Sequence, residues 1–272
     1  MKVAFIGAGA MAGAIAKGAH KAQSDQWDFT FYDVLPEAAQ WLADEVDGKA
    51  ASSIPEAVER ADMVVLAVKP HHQAAVITEL PEGPATIVSI AAGRTTQEIT
   101  KELAAAGSHP PVVRVMPNVN ALVGAATSAI CANEVATQAD IEAASALFDA
   151  VGTTMEIPEN LFSAFTALAG SSPAFFFQIA EHLARAGVAQ GLTKAEAINA
   201  VVGSMYGSAK TLAAALDNGE NAASLVDKVC SPGGTTIAGL LAAEDAGLGP
   251  SLVAAVRATV ARDRELGHQD EK

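Results

Sequence analysis

The chain has 272 residues, 50% hydrophobic and 18% charged, enough to bury one large or two modest cores and too apolar for a disordered chain. Its net charge of -14 argues against a nucleic-acid partner, and Cys131 and Cys230 form neither a disulfide framework nor a zinc spacing, which fits a reducing compartment. The N-terminus lacks the apolar core of a signal peptide, and the most apolar run, Leu161 to Ala180, is broken by Gly170-Ser171-Ser172-Pro173; a cytoplasmic protein without a membrane span is expected.

Residues 2 to 6 read as a short apolar strand that feeds Gly7-Ala8-Gly9-Ala10-Met11-Ala12-Gly13, after which Ala14, Ile15 and Ala16 continue with helical spacing. In this strand, glycine turn and helix, Gly7 permits the tight turn and Gly9 lets the backbone approach a pyrophosphate. Ala12 fills the third position of G-x-G-x-x-G/A, where helix packs on strand. The helix then aims its first N–H groups at a diphosphate. Ile6, Gly7, Ala8, Gly9, Ala10, Met11 and Ala12 are therefore the first part of a dinucleotide site.

A second strand, Asp28 to Asp33, ends in an acid 20 positions past Gly13, where a carboxylate meets the adenosine ribose. Asp33 is expected to accept hydrogen bonds from both ribose hydroxyls and to repel a 2'-phosphate, favouring NADH over NADPH; the competing reading is a solvated loop acid. Strand and helix signals then alternate. A helix starts at Pro55-Glu56, strands run from Met63 to Val68 and from Thr86 to Ile90, helices follow Pro70 and Thr96, and a further strand leads to Arg114-Val115-Met116. That alternation gives a doubly wound parallel sheet.

Ligands of such sheets lie beyond the carboxyl ends of the strands. Ala67, Val68, Lys69 and Pro70, then Ile90, Ala91 and Ala92, then Asn118 should therefore line the cofactor cleft, with small Ala91 and Ala92 leaving room for a nicotinamide ring. Lys69 reads as solvated or structural more readily than as a catalytic acid, and His71 and His72 point to different faces, so no metal is expected. Residues 125–132 and 153–157 read as closing strands around a helix from Gln138 to Asp149.

From Pro158 strand signals stop, which divides the chain into a dinucleotide-binding domain, 1–157, and an all-helical domain, 158–272. Small residues recur in the latter, as at Ala184, Ala186, Gly187 and Ala189, then Gly203, Gly207, Ala213 and Ala214. Such faces let helices approach closely, within one chain or across a homodimer. Ser172-Pro173 is a helix start, and the tail from Gly267 to Lys272 should fray.

Near the end stands Cys230-Ser231-Pro232-Gly233-Gly234-Thr235-Thr236, a tight turn opening onto a helix. It reads either as an ordinary loop and cap or as a cradle of backbone N–H groups for a small anion, with the Ser231 and Thr236 hydroxyls orienting a carboxylate. No lysine occurs between Glu159 and Thr193. An alcohol dehydrogenase needs a positioned acid or base; a cyclic imine does not, because its iminium forms in solution.

Together with Leu66-Ala67-Val68-Lys69-Pro70, Ser89-Ile90-Ala91-Ala92-Gly93, Arg114-Val115-Met116-Pro117-Asn118 and Leu168-Ala169-Gly170-Ser171-Ser172-Pro173-Ala174-Phe175, these segments make the chain resemble pyrroline-5-carboxylate reductases along essentially its whole length. The resemblance implies a Rossmann-type domain plus a helical dimerisation domain. It implies reduction of an imine by NADH or NADPH in the last step of proline biosynthesis, and homodimers that commonly assemble into decamers. It further implies that Ser231 and the N–H groups of Gly234, Thr235 and Thr236 hold the substrate carboxylate. In that family the catalytic Thr236 hydroxyl meets the ring nitrogen and Glu159 lies near the ligand; read from its own position, Glu159 is a first-turn acid complementing a helix dipole.

The sequence departs from the family's pattern at Val119-Asn120, where Thr-Pro is frequent, at Ser172, where glycine is, and at Asp33, since many members prefer NADPH. Reduction of a related cyclic imino acid and a non-catalytic NAD(P)-binding sensor are the alternatives. The 3-hydroxyacid dehydrogenases share the layout but need a lysine that is absent here.

Overall fold

The computed structural model describes residues 1–83 and 85–269. It divides into two compact units, Met1–Ser171 with Ala258–Lys272, and Ser172–Arg257. The strand-to-helix switch itself comes at Glu156, close to the 157/158 boundary read from the sequence, but the chain remains part of the first unit up to Ser171.

The first unit alternates as its sequence periodicity demands: β1 (Lys2–Ile6), α1 (Ala10–Gln23), β2 (Asp28–Tyr32), α2 (Pro36–Glu45), β3 (Lys49–Ala50), α3 (Ile54–Val58), β4 (Met63–Leu66), α4 (Pro70–Glu79), β5 (Thr86–Ser89), α5 (Thr96–Ala105), β6 (Val112–Met116), β7 (Ala126–Ala132), α6 (Gln138–Asp149), β8 (Gly152–Glu156) and α7 (Phe162–Phe165). The strands form one sheet in the order β3-β2-β1-β4-β5-β6-β7-β8. All pairs are parallel except β6 with β7, so the doubly wound, mostly parallel sheet expected from the sequence is present, with one antiparallel pairing. The reason is local: β7 follows β6 through one turn of 3-10 helix, Val119–Val123, and a parallel return needs a crossover of a dozen residues or more.

Apolar side chains fill both faces of the sheet. Phe5, Phe29, Phe31, Ile15 and Leu42 sit with α1 and α2 on one side, and Ile6, Leu66, Ile77, Ile99 and Leu103 with α3, α4 and α5 on the other. A third cluster joins Ala129 and Cys131 of β7 to Phe162 and Phe165 of α7. The chain order turns back between β1 and β4, the topological switch point at which doubly wound sheets open a crevice.

Five residues not foreseen in the sequence, Thr166–Gly170, form a π-helical turn closed by the Ser171 N–H on the Thr166 carbonyl at 2.7 Å.

The second unit is helical: α8 (Ser172–Ala189), α9 (Lys194–Asp217), α10 (Ala222–Val229), α11 (Thr235–Asp245) and the first part of α12 (Leu248–Gln269). Where the sequence predicts fraying from Gly267, α12 runs on to Gln269; residues 270–272 lie outside the described residues. α8 and α9 pack through small residues, since a Cβ on Gly187 would stand 3.1 Å from that of Ala197. Among the described residues no single helix is long and apolar enough to cross a membrane, although α11 and α12, bent by 52°, reach that length and apolarity together.

Candidate active site

At the switch point the glycine turn is pinned from three directions. Gly7 adopts φ +103°, and a Cβ there would lie 2.8 Å from the Ala67 carbonyl oxygen, so only glycine lets the exit of β1 pass the exit of β4. Its N–H donates to Tyr32 at 2.7 Å. The neighbouring Ala8 N–H donates to Asp33 Oδ2 at 2.7 Å, and Asp33 Oδ1 accepts from the Leu35 N–H at 3.0 Å. Asp33 therefore fixes the turn as well as standing at the tip of β2. Gly9 differs from Gly7: a Cβ on it would meet nothing within 4 Å. It is the N-cap of α1 and no side chain caps that end, leaving a bare helix start facing open space.

A dinucleotide fits these residues. Ile6 and Ala12 are buried in the framework, Ala8 lies at its edge, and Gly9 and Ala10 are exposed where a pyrophosphate would approach, with Met11 half-buried behind them. Along the same edge come Ala67, Val68 and Lys69, with Pro70 opening α4, and then Ile90, Ala91 and Ala92. Asn118 is turned inward: its Nδ2 donates to the Ala169 carbonyl at 3.0 Å and its Oδ1 accepts from the Asn120 N–H at 3.2 Å. Its amide ties the exit of β6 to the π-helical turn, leaving its backbone for the cleft.

Glu159, expected near the substrate, has its carboxylate engaged within the first unit. Oε1 accepts from the Thr96 N–H at 2.7 Å and from Arg114 Nη1 at 3.1 Å, while Oε2 accepts from the Thr96 hydroxyl at 2.7 Å. Arg114 is 4% exposed, lies 4.4 Å over the Phe162 ring, and its Nε has no hydrogen-bond partner. On the neighbouring strand Cys131 pairs in register with Arg114. Burial, with the Glu159 charge second, pushes its thiol up to about 12.

In the second unit, the Gly234 N–H donates to the Ser231 carbonyl at 3.0 Å, and Gly233 turns at φ +66°. The Ser231 hydroxyl folds over Gly234, where a Cβ would stand 2.3 Å from it. Gly234 is the N-cap of α11 and carries no side-chain cap, and Thr235 and Thr236 on the first turn are exposed. By contrast Ser53, Thr95, Thr137, Thr193 and Asn221 cap the helices they precede, and α2 and α4 begin with proline, which has no N–H to satisfy. α1 and α11 each start on a glycine with no side-chain cap, which leaves N–H groups of their first turns for something else.

Among the described residues no group of three or more His, Cys, Asp or Glu side chains could hold a metal ion. The rings of His71 and His72 lie against each other, 4.1 Å between centroids.

Residues 159–266 match the family model for pyrroline-5-carboxylate reductase dimerisation, and residues 2–93 match that for NADP oxidoreductase coenzyme F420-dependent. The chain is 35% identical to the pyrroline-5-carboxylate reductase of Mycobacterium leprae over 97% of its own length and 96% of the relative's. Its fold is similar to a pyrroline-5-carboxylate reductase from Coxiella burnetii, with TM-score 0.88 and 31% identity over 97% of each chain. It is also similar to Plasmodium falciparum pyrroline carboxylate reductase with NADP bound, with TM-score 0.85 and 26% identity over 98% of each chain.

Proposed function

Because the chain belongs to the pyrroline-5-carboxylate reductase family, we propose that it reduces the cyclic imine of 1-pyrroline-5-carboxylate to L-proline, the last step of proline biosynthesis, using a reduced nicotinamide dinucleotide. The observation that carries this reading is the pair of glycine-capped, otherwise uncapped helix starts. Gly9 opens α1 beside the β1–β4 switch point, and Gly234 opens α11 behind the Ser231 turn. Each offers backbone N–H groups and a positive helix end to an anion, a diphosphate at the first and a carboxylate at the second.

When bound, reduced nicotinamide supplies the hydride for the imine carbon. The protein holds and orients. Ser231 and the N–H groups of Thr235 and Thr236 take the carboxylate, the Gly234 N–H being already engaged in closing the turn on the Ser231 carbonyl, and the Thr236 hydroxyl accepts a hydrogen bond from the protonated ring nitrogen and steadies it as its positive charge is lost. The proton arrives on the iminium itself, so orientation supplies most of the rate enhancement. Asp33 retains lone pairs beyond those bonded to Ala8 and Leu35. These suit two ribose hydroxyls and disfavour a 2'-phosphate, supporting NADH as the preferred donor.

The helical domain is a dimerisation domain, which makes a homodimer the functional unit; the family resemblance supports further assembly into decamers. Free Cys131 and Cys230 fit a reducing, cytoplasmic setting.

Absorbance at 340 nm after adding pyrroline-5-carboxylate, with NADH and NADPH in parallel and related imino acids as controls, tests the reading. Oxidation of NADH faster than NADPH, with this substrate best, is expected. No oxidation of either would leave a dinucleotide-binding sensor, and equal use of both would remove the Asp33 argument.

A further inference from the structure

We infer that Glu159 is a positioning residue for the cofactor site, resting on the proposed function above: its carboxylate bolts the first turn of α5 to β6 and so fixes two of the segments that line the cleft. Thr96 stands three residues beyond Gly93, at the start of α5, so the Thr96 N–H and hydroxyl bonds to Glu159 anchor the Ile90–Gly93 segment from its downstream end. Arg114 lies on β6 just before Met116-Pro117-Asn118, so its bond to Glu159 anchors that segment from its upstream end. One side chain, from the 3-10 turn Glu159–Leu161, therefore sets the spacing between two neighbouring strand exits.

The surroundings make the tie stiff. Thr96 and Arg114 are 6% and 4% exposed, and the face of the guanidinium is covered by Phe162. Arg114 Nε has no partner, which leaves the carboxylate as the main compensation for a buried charge. Downstream of Met116 a second tie, Asn118 Nδ2 to the Ala169 carbonyl, holds the same segment to the π-helical turn, and a Cβ on Gly170 would stand 3.2 Å from the Met116 Cε. Three bonds already fall on this carboxylate, so most of its acceptor capacity is spent within the first unit.

The test compares Glu159→Gln, the double variant Glu159→Gln with Arg114→Met, and Thr96→Val, measuring KM for each substrate, kcat, the thermal midpoint, and cofactor Kd by fluorescence without imino acid. Glu159→Gln is expected to raise cofactor Kd and KM about fivefold or more while the imino-acid KM stays within about twofold, and to lower the midpoint. The double variant, free of the unpaired charge, should regain the midpoint but keep the weakened cofactor binding. Thr96→Val should shift cofactor Kd in the same direction by less, which keeps the test open if Glu159→Gln does not fold.

A selective rise in imino-acid KM would put Glu159 on the substrate and overturn the inference. So would joint recovery of midpoint and cofactor binding in the double variant, which would make the tie one of stability alone. Cofactor Kd reads the tie even if pyrroline-5-carboxylate proves not to be the substrate, so the two readings fail separately.

Discussion

Gly7 and Gly9 stand two residues apart and are glycine for opposite reasons. A methyl group on Gly7 meets the Ala67 carbonyl at 2.8 Å in a backbone conformation, φ +103°, that L-residues avoid, whereas on Gly9 it meets open space. Gly7→Ala should therefore lower the thermal midpoint of the cofactor-free protein and its cofactor affinity together. Gly9→Ala should leave that midpoint within about a degree and weaken only the cofactor, because the methyl occupies the approach of the diphosphate. Calorimetry with and without dinucleotide separates the two; a destabilised Gly9→Ala would mean that the open space is needed by the fold. On the first turn behind Gly234, Thr236→Ala removes the hydrogen bond proposed to the ring nitrogen. It should cut kcat/KM by roughly ten- to hundredfold, about 1 to 3 kcal/mol, with cofactor Kd unchanged. Full turnover by that variant would take the hydroxyl out of the reaction.

Elements are fastened to one another by capping acids with long reach. Asp140 closes the capping box of α6 by accepting from the Thr137 N–H and hydroxyl at 2.8 and 2.6 Å, and it also accepts from Thr86 on β5 at 2.5 Å. Burial alone would raise its carboxyl, but the bonds from Thr137 and Thr86 outweigh it and hold it below the ordinary carboxylate value. A lowered folded-state value stabilises the fold above the unfolded pKa of about 3.9, and that stability is lost as pH falls towards the folded value. Asp140→Asn should cost about 1 kcal/mol at pH 7, and the gap to the parent should narrow below about pH 4; urea titrations that find the same gap at both pH values would refute the linkage. Thr137 and Asp140 stand three residues apart, so the box is legible in the sequence, as are the first glycine turn and most strands, each signalled within a few residues. What escaped the sequence is non-local or too short for a period: β3 has two residues, and the π-helical turn accompanies Asn118 reaching Ala169 across 51 positions. The partners of Glu159 likewise lie 63 and 45 positions away. The reversed direction of β7 was legible in principle, since the connection from Met116 has no room for a crossover helix.

Across the whole molecule, apolar surface is distributed unequally. Every large hydrophobic side chain that is fully buried belongs to the first unit, while among the described residues of the second the buried apolar positions are Pro173 and four alanines, 180, 184, 197 and 215. Tyr206 is 67% and Phe177 65% exposed, with Leu183, Val202 and Leu216 over half exposed. An isolated chain with this surface would aggregate or remain marginal; it lies in a region that matches a dimerisation domain, and a second copy would cover it. The small-residue pattern then divides by purpose. Gly187 and Ala197 serve the α8–α9 contact within one chain, whereas a Cβ on Gly203 or Gly207 meets nothing, as expected of a stripe kept low for a partner helix. Gly207→Glu isolates the second purpose, because within one chain the side chain enters open space and glutamate favours helix over glycine by a few tenths of a kcal/mol to about 1 kcal/mol. A lone chain would be stabilised by it; a dimer would have to bury an unpaired charge. Sedimentation should show the parent as a dimer or larger, with a thermal midpoint that rises with protein concentration, and the variant as smaller species with a lower midpoint. A Gly207→Glu protein that keeps the parent's mass and gains stability would mean that this stripe faces water, and the exposed apolar side chains beside it would then need a different cover.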